Sequence, residues 1–336
     1  MSKLLNYSDV KRQSEAVFKQ FGESRWIPYA NTNAALERQD MGKLKNSGIG
    51  KILVLAAMGE STEDAIPVLQ KYRDRFDILV NDKSFGYMIE RGITPDYVML
   101  CDANIPFRWI EKYTAKTKGV KLIATPYANI EWTKAWEGER YFYVAEDAIR
   151  SERTFLKIMG NDTRVIPAAS NVSNAMVVFM VGANNQANIN WAGYDKYLLV
   201  GYDYSWRPST AGDGIKTGKY YAFEDPKPKR FYMNHRTILD INNDWVHTSE
   251  NLLFSAKWLI SYLSTFKPPI VNCSGRGILD VPWRDTLEHQ LSMIDSSHAT
   301  VGSVRRQFNM LALAHKVMEE AKLNFELSRE AIYGRR

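Results

Sequence analysis

Between residues 52 and 200 the chain alternates short apolar, β-prone runs with segments of helical length, and no other feature limits its possible folds so tightly. The runs are 52–57, 77–80, 97–101, 120–124, 141–144 and 197–200. Runs this short, without polar alternation, suit strands covered on both faces, as in a parallel sheet. The segments between them, such as 64–72 and 83–91, carry helical length and periodicity. The βαβα order therefore predicts an α/β fold, a doubly wound, Rossmann-like and mostly parallel sheet.

The flanks read differently. Residues 1–48 are expected to form a polar helical extension, with Val17, Phe18 and Phe21 at amphipathic spacing. Residues 286–336 are expected to form a second helical addition, with Phe308, Leu311, Leu313, Val317 and Met318 spaced as on a surface or oligomer helix. The Rossmann-like domain is then 49–285. Within it, 205–243 breaks the rhythm. It is rich in Gly, Pro, Lys and Tyr and far longer than ordinary α/β connections, so it is expected to be a lid or binding loop. An apolar helix over 249–263, with Phe254, Trp258 and Leu259, and a strand over 269–273 follow it.

Composition narrows the setting. The longest apolar stretch, 52–58, is far below the ~20 residues that span a bilayer. The amino terminus turns polar at once, so no secretory signal is expected. Only Cys101 and Cys273 occur, in no CxxC pair, which argues against a disulfide framework or a thiolate zinc site and for a reducing, cytoplasmic location. A net charge of +6 favours anionic partners: nucleotides, anionic glycans, nucleic acid or membrane surfaces.

Polar residues then cluster where the expected strands end. After the first, Gly59 permits a tight turn, and Ser61 is expected to cap the next helix with Asp64 as its capping-box partner. Free N–H groups at such a helix start seat phosphate, although a plain strand-to-helix turn looks the same in sequence. Pro67 argues for a helix start nearer Asp64. Asn81 and Asp82 follow the second strand, and Asp102 and Asn104 the third. In open α/β sheets that edge binds ligands, and its polar side chains read base or ribose.

These motifs together resemble a family. Gly59-Glu-Ser-Thr is similar to the Gly-Pro-Ser-Leu turn of the Campylobacter-type bacterial sialyltransferases and the Maf-type flagellin-modifying proteins, a group that includes an archaeal hydroxymethylpterin diphosphokinase. Gly92-Ile-Thr-Pro-Asp96 followed by Asp102 resembles the Maf Gly-Ile-x-Pro-Asp…Asp pattern, and Asn81 with Phe85 the sialyltransferase Asn-x-x-x-Phe. Ser170-Asn-Val-Ser-Asn174, Leu199-Val-Gly-Tyr-Asp203 and Asn272-Cys-Ser-Gly-Arg-Gly277 resemble three further turns of these families. Glu60 departs from the usual proline and Thr62 from the leucine, and residues 184–191 are an insertion.

The resemblance implies a glycosyltransferase that uses a nucleotide-sugar donor. Gly59, Ser61, Asn81, Asp82, Asp102, Asn104, Ser170, Asn171, Ser173, Asp203, Ser274 and Arg276 would hold that donor. Tyr221-Ala-Phe223 and His247-Thr-Ser-Glu-Asn251 look like the segments that carry the sialyltransferase base, so His247 is expected to take a proton from the acceptor hydroxyl, with His235 in reserve. An imidazole, with an ordinary pKa of about 6.5, suits that task. Lys216, Lys219, Lys227, Lys229, Arg230 and Arg236, interleaved with Trp206, Tyr220 and Tyr221, would neutralise the leaving phosphate. Asp102-Ala-Asn104 falls short of a metal-binding Asp-x-Asp, so no strict metal requirement is expected. The acceptor would be a glycan, a protein or nucleic acid, and the chain a homo-oligomer. Two other functions remain open: a Mg²⁺-dependent diphosphotransferase with Asp82, Asp102 and Asp203 on the metal, and a non-catalytic nucleic-acid binding protein.

Overall fold

The computed structural model describes residues 15–16, 18–146, 150–160, 162–167, 169, 171–182, 190–207 and 235–294. Eight strands form one sheet: β1 (Ile52–Ala56), β2 (Asp77–Asn81), β3 (Tyr97–Leu100), β4 (Lys121–Ala124), β5 (Arg140–Ala145), β6 (Arg164–Ile166), β7 (Lys196–Val200) and β10 (Ile270–Asn272). Their order is β10-β7-β1-β2-β3-β4-β5-β6, and each pairing is parallel. The expected doubly wound α/β sheet is what the chain builds. From β1 the chain winds outward to β6, then returns to place β7 on the other side of β1. The order reverses there, so the β1/β7 boundary is the switch point at which such sheets open a crevice.

Alternate side chains of each strand point to opposite faces, and both faces are covered. Leu53, Leu55, Leu79, Met99 and Leu199 face a layer built from α6 (Val172–Val181) and α7 (Glu250–Phe266). Val54, Ala56, Val80, Leu100 and Val200 face α2 (Ser61–Lys71), α3 (Asp82–Glu90), α4 (Ile130–Ala135) and α8 (Leu287–Ser292). This two-sided burial is why the strands read as continuous apolar runs.

Helix α6 is the return crossover. It is buried all round from Asn174 to Val181, as a helix between a sheet and another helix must be, and it packs across β1, β2 and β3. Its path delivers its N-terminal turn from the β6 edge to the middle of the sheet. At the far edge α1 (Ile27–Ala34) lies against α4 and α5 (Glu152–Met159). There buried Asn33 donates to the carbonyls of Pro126 (2.7 Å) and Ala128 (3.1 Å).

Three expectations need correction. Helix α2 begins at Ser61 and runs through Pro67, whose missing N–H costs the helix one internal bond without ending it. Residues 235–243 are not loop: β8 (His235–Leu239) and β9 (Trp245–Ser249) form an antiparallel hairpin. Strand β6 is an eighth sheet strand that the apolar runs did not reveal. Val17, Ser170, the loop cations between Lys216 and Arg230, Tyr220, Tyr221 and the tail from Phe308 to Met318 lie outside the described residues. Among the described residues no helix is long and apolar enough to cross a membrane.

Candidate functional site

The switch point is tightly knit. The Gly59 amide donates to the Gly201 carbonyl at 2.9 Å, joining the turn after β1 to the turn after β7. Gly201 has φ +73°, and a Cβ there would run into the Thr62 hydroxyl. A Cβ on Gly59 would press on the Asp203 carboxyl at 2.7 Å. Glycine is thus required at both positions by contact, and at Gly201 by backbone conformation as well.

Ser61 does not cap its helix as expected. The N-cap is Glu60, which makes no side-chain cap bond. The Ser61 amide (2.8 Å) and hydroxyl (2.5 Å) both donate to the carboxylate of Asp203, which is buried. Burial pushes the Asp203 carboxyl up to about 7, the Ser61 bonds pull it down, and the nearby Glu60 charge adds a further upward push. The amide that phosphate would seek at this helix start is therefore already bonded to an anion of the protein itself. Asp64, the expected capping partner, instead forms an ion pair with Arg276.

Above this floor lies a charged network. Glu60 Oε2 accepts from the backbone N–H (3.1 Å) and Nε (3.2 Å) of Arg207, and Arg276 Nη1 stands 3.9 Å away. Glu60 is 11% exposed and Arg276 20%, whereas Arg207 is 62% exposed. Sequence reasoning missed Arg207. Its signal was its place four residues beyond Asp203, where the strand-end turn leads outward.

The ends of β2 and β3 come next. Asn81 Oδ1 accepts from the Ser84 amide (2.9 Å) and hydroxyl (2.7 Å), making Asn81 the N-cap of α3. Asp82 is fully buried as the first residue of that helix. Burial raises its carboxyl to about 6; the Lys83 charge and amide oppose this, and the Asp102 charge reinforces it. Asp102 is exposed and accepts from the Asn104 amide at 2.8 Å, while Asn104 Oδ1 accepts from Arg25. Cys101 Sγ lies 2.8 Å from Tyr143 Oη, and burial pushes its thiol up to about 12. It is a thiol at neutral pH and a poor nucleophile. Among the described residues no three Asp, Glu, His or Cys side chains gather as metal ligands. Asp82, Asp102 and Asp203 therefore do not form the three-carboxylate group that a diphosphotransferase reading asks of them.

Helix α6 brings its first turn to the β7 end. Asn171 Oδ1 caps the helix by accepting from the Asn174 amide at 2.9 Å. The Ser173 carbonyl accepts from Tyr202 Oη at 2.9 Å, and the Asn174 side chain from Tyr204 Oη. From the turn after β10, Ser274 Oγ accepts from the Tyr202 amide at 3.0 Å. Ser274, expected to meet donor, serves here to hold the β7 turn.

The hairpin closes the group. Trp206 and His247 exchange backbone bonds in both directions (2.9 and 2.8 Å), with ring centroids 6.3 Å apart. His247 Nδ1 lies 3.0 Å from the Thr237 hydroxyl, its cross-strand neighbour on β8. It does not cap α7; Ser249 does. The indole N–H of Trp206 is buried with no acceptor among the described residues, an arrangement that ordinarily costs about 1–3 kcal/mol. His235 sits on β8 opposite Ser249.

One continuous set of bonds thus links Gly59, Ser61, Asp203, Ser274 and Arg276 with Asn171 and Ser173 through Tyr202 and Tyr204, and with His247 through Trp206 and Arg207. Asn81, Asp82, Asp102 and Asn104 occupy the two adjoining strand ends.

Comparison with known proteins agrees with this architecture. Residues 28–208 match the family model described as 6-hydroxymethylpterin diphosphokinase MptE-like. The solved structure of MAf glycosyltransferase from Magnetospirillum magneticum AMB-1 is similar in fold, with a TM-score of 0.58 and 16% identity. The similarity covers 89% of this chain and 44% of that one, so this chain matches less than half of that protein's length. Among curated protein sequences none matches.

Proposed function

This chain belongs to the 6-hydroxymethylpterin diphosphokinase MptE-like family, and on that footing we propose that it is a transferase acting on a nucleotide-linked substrate, in the first instance a glycosyltransferase with a nucleotide-sugar donor. One observation carries the reading. At the β1/β7 switch point Glu60 meets both Arg207 and Arg276, and the backbone exchange between Trp206 and His247 ties the adjoining β8–β9 hairpin to the same strand end. The likeness of fold to a glycosyltransferase supports it.

In this reading the nucleotide lies along the ends of β1, β2 and β3, with its phosphates toward Arg207 and Arg276. Guanidinium forks match phosphate oxygens in pairs and stabilise the charge that grows as the sugar departs. His247 takes the proton of the acceptor hydroxyl. When its Nδ1–H donates to Thr237, Nε2 is the basic nitrogen, and the backbone exchange with Trp206 holds the ring in place. The acceptor is a glycan, protein or nucleic-acid hydroxyl.

Calorimetric titration with CMP-, UDP- and GDP-sugars tests the proposal, followed by release of free nucleotide on addition of acceptors. A folded protein that binds none of the donors removes it.

The family description supports a second reading, transfer of diphosphate from ATP with Mg²⁺. Among the described residues the aspartates it would use are not gathered, Asp203 being held by Ser61. AMP release that requires both a pterin and Mg²⁺ would decide for it. Nucleic-acid binding without catalysis would instead show affinity falling steeply with salt and indifferent to H247A.

A further inference from the structure

We propose that Glu60 stands in for phosphate: its carboxylate, with that of Asp64, holds Arg207 and Arg276 beside the β1/β7 switch point until a phosphate group of an incoming nucleotide takes both guanidiniums. The inference rests on the reading of the crevice as a nucleotide site, and it specifies where the phosphate goes.

The ordinary anion position in a fold of this kind is the helix start after β1, and here it is occupied from within. Asp203 accepts from both the amide and the hydroxyl of Ser61. The glycines above it leave no slack, since even a methyl group on Gly59 or Gly277 would collide with Asp203. A phosphate arriving at the turn meets the next cations outward. These are Arg207 and Arg276, and both face the same Glu60 oxygen.

Glu60 itself behaves as an anion placed for the arginines. It stands at the N-cap, where a carboxylate would ordinarily turn back onto the helix amides, yet it makes no cap bond. Its oxygen accepts instead from the Arg207 amide and guanidinium. Two arginines against Glu60 and Asp64 sum to zero charge, so the assembly is neutral as it stands. A phosphate that displaces Glu60 keeps the arginines compensated, while its non-bridging oxygens engage both forks. Arg207, more than half exposed, is free to follow the ligand. Its neighbour in the chain, Trp206, carries a buried indole N–H that has no acceptor among the described residues.

Glu60 has two conceivable roles, and they predict opposite signs. A stand-in competes with phosphate, so its removal tightens binding. A strut that merely orients the arginines helps phosphate, so its removal weakens binding. The experiment is calorimetric titration of the full chain with inorganic pyrophosphate, CMP and UDP, with far-UV circular dichroism as the check on fold. Glu60→Gln is expected to bind pyrophosphate about tenfold tighter than wild type, through loss of one adjacent negative charge. Arg276→Ala is expected to weaken binding by about tenfold and to cancel the gain when combined with E60Q. Asp64→Asn, at a more exposed position, is expected to shift binding in the same direction as E60Q and serves if E60Q does not fold. Unchanged or weaker pyrophosphate binding in a folded E60Q, or no pyrophosphate binding by either protein, overturns the inference. If pyrophosphate binds tighter in E60Q yet neither CMP nor UDP competes with it, the phosphate site stands and the nucleotide reading falls. Where UDP does compete, titration with UMP beside UDP separates a single phosphate from a diphosphate as the natural ligand.

Discussion

Asp203 and Ser61, 142 positions apart in the chain, meet at the β1/β7 switch point, where one carboxylate accepts from both the amide and the hydroxyl of the serine. The contact ties the turn after β7 to the first residue of α2, and so fixes the two strand ends that define the switch point. It also places an ionisable group where water does not reach.

The pH dependence of stability follows from that burial. The Asp203 carboxyl is raised to about 7 in the fold, against an unfolded value near 3.9. Between these values the folded state holds the extra proton, so the contribution is fully present below about pH 4 and is lost as pH rises through about 7. Asp82, raised to about 6, acts in the same direction. Thermal unfolding of D203N should therefore lose less stability than wild type between pH 5 and 8, by a Tm difference on the order of 5 °C. The asparagine mimics the protonated acid, still accepting from the Ser61 amide. Parallel Tm–pH curves for the two proteins would contradict this.

Gly201→Ala should be severely destabilising. The position combines φ +73° with direct collision between a new Cβ and Thr62 Oγ1. Left-handed strain and the displacement of α2 together should cost about 3 kcal/mol or more in urea unfolding. A loss below about 1 kcal/mol would mean that the two turns are not in contact.

Asn81 lends itself to a separation of roles. Its Oδ1 accepts two bonds as a helix cap. Asn81→Ala should cost about 1–2 kcal/mol, whereas Asn81→Asp retains a capping oxygen and should stay close to wild type in stability. Should the amide also meet the nucleotide, N81D will weaken nucleotide binding despite its intact fold. Equal binding by N81D and wild type would confine Asn81 to capping.

For His247 the expected signature is kinetic. H247Q should lower kcat by about 10²–10⁴ with little change in nucleotide affinity, since a proton acceptor is lost and the nucleotide contacts are kept. Thr237→Val, which removes the partner of Nδ1, should shift the pH profile of kcat/KM and leave KM for donor nearly unchanged. Activity of H247Q above a tenth of wild type would assign the proton transfer elsewhere.

Much of this architecture was legible before any coordinates. The strands announced themselves because burial on both faces leaves no room for polar residues, and 52–57, 77–80 and 97–101 each match a strand within a residue or so. Strand β6 escaped because its three residues begin with an arginine. The β8–β9 hairpin escaped because it sits at the end of a Lys- and Tyr-rich segment. The available signal was Asp240-Ile-Asn-Asn-Asp244, a turn in which Asp240 Oδ1 accepts from the Asn242 and Asp244 amides and Asn243 takes φ +65°. Pro67 misdirected the start of α2, because a single missing N–H is outweighed by the burial of Ala65, Ile66 and Leu69 beneath it.

What the sequence by itself determined is the layer order: apolar runs and amphipathic spacings are local, and they dictate which segments become strands, which become helices, and at which strand ends polar residues collect. Tertiary structure alone decided how those polar residues are employed. Nothing near Ser61 in the chain shows that Asp203 will reach its amide, that Glu60 will turn to Arg207 and Arg276, or that Asn81, Asn171 and Ser274 will spend their oxygens holding turns. Such partnerships depend on the crossover of α6 and on the return of β7 beside β1, and it is the exclusion of water at that junction that sets the ionisation of Asp203.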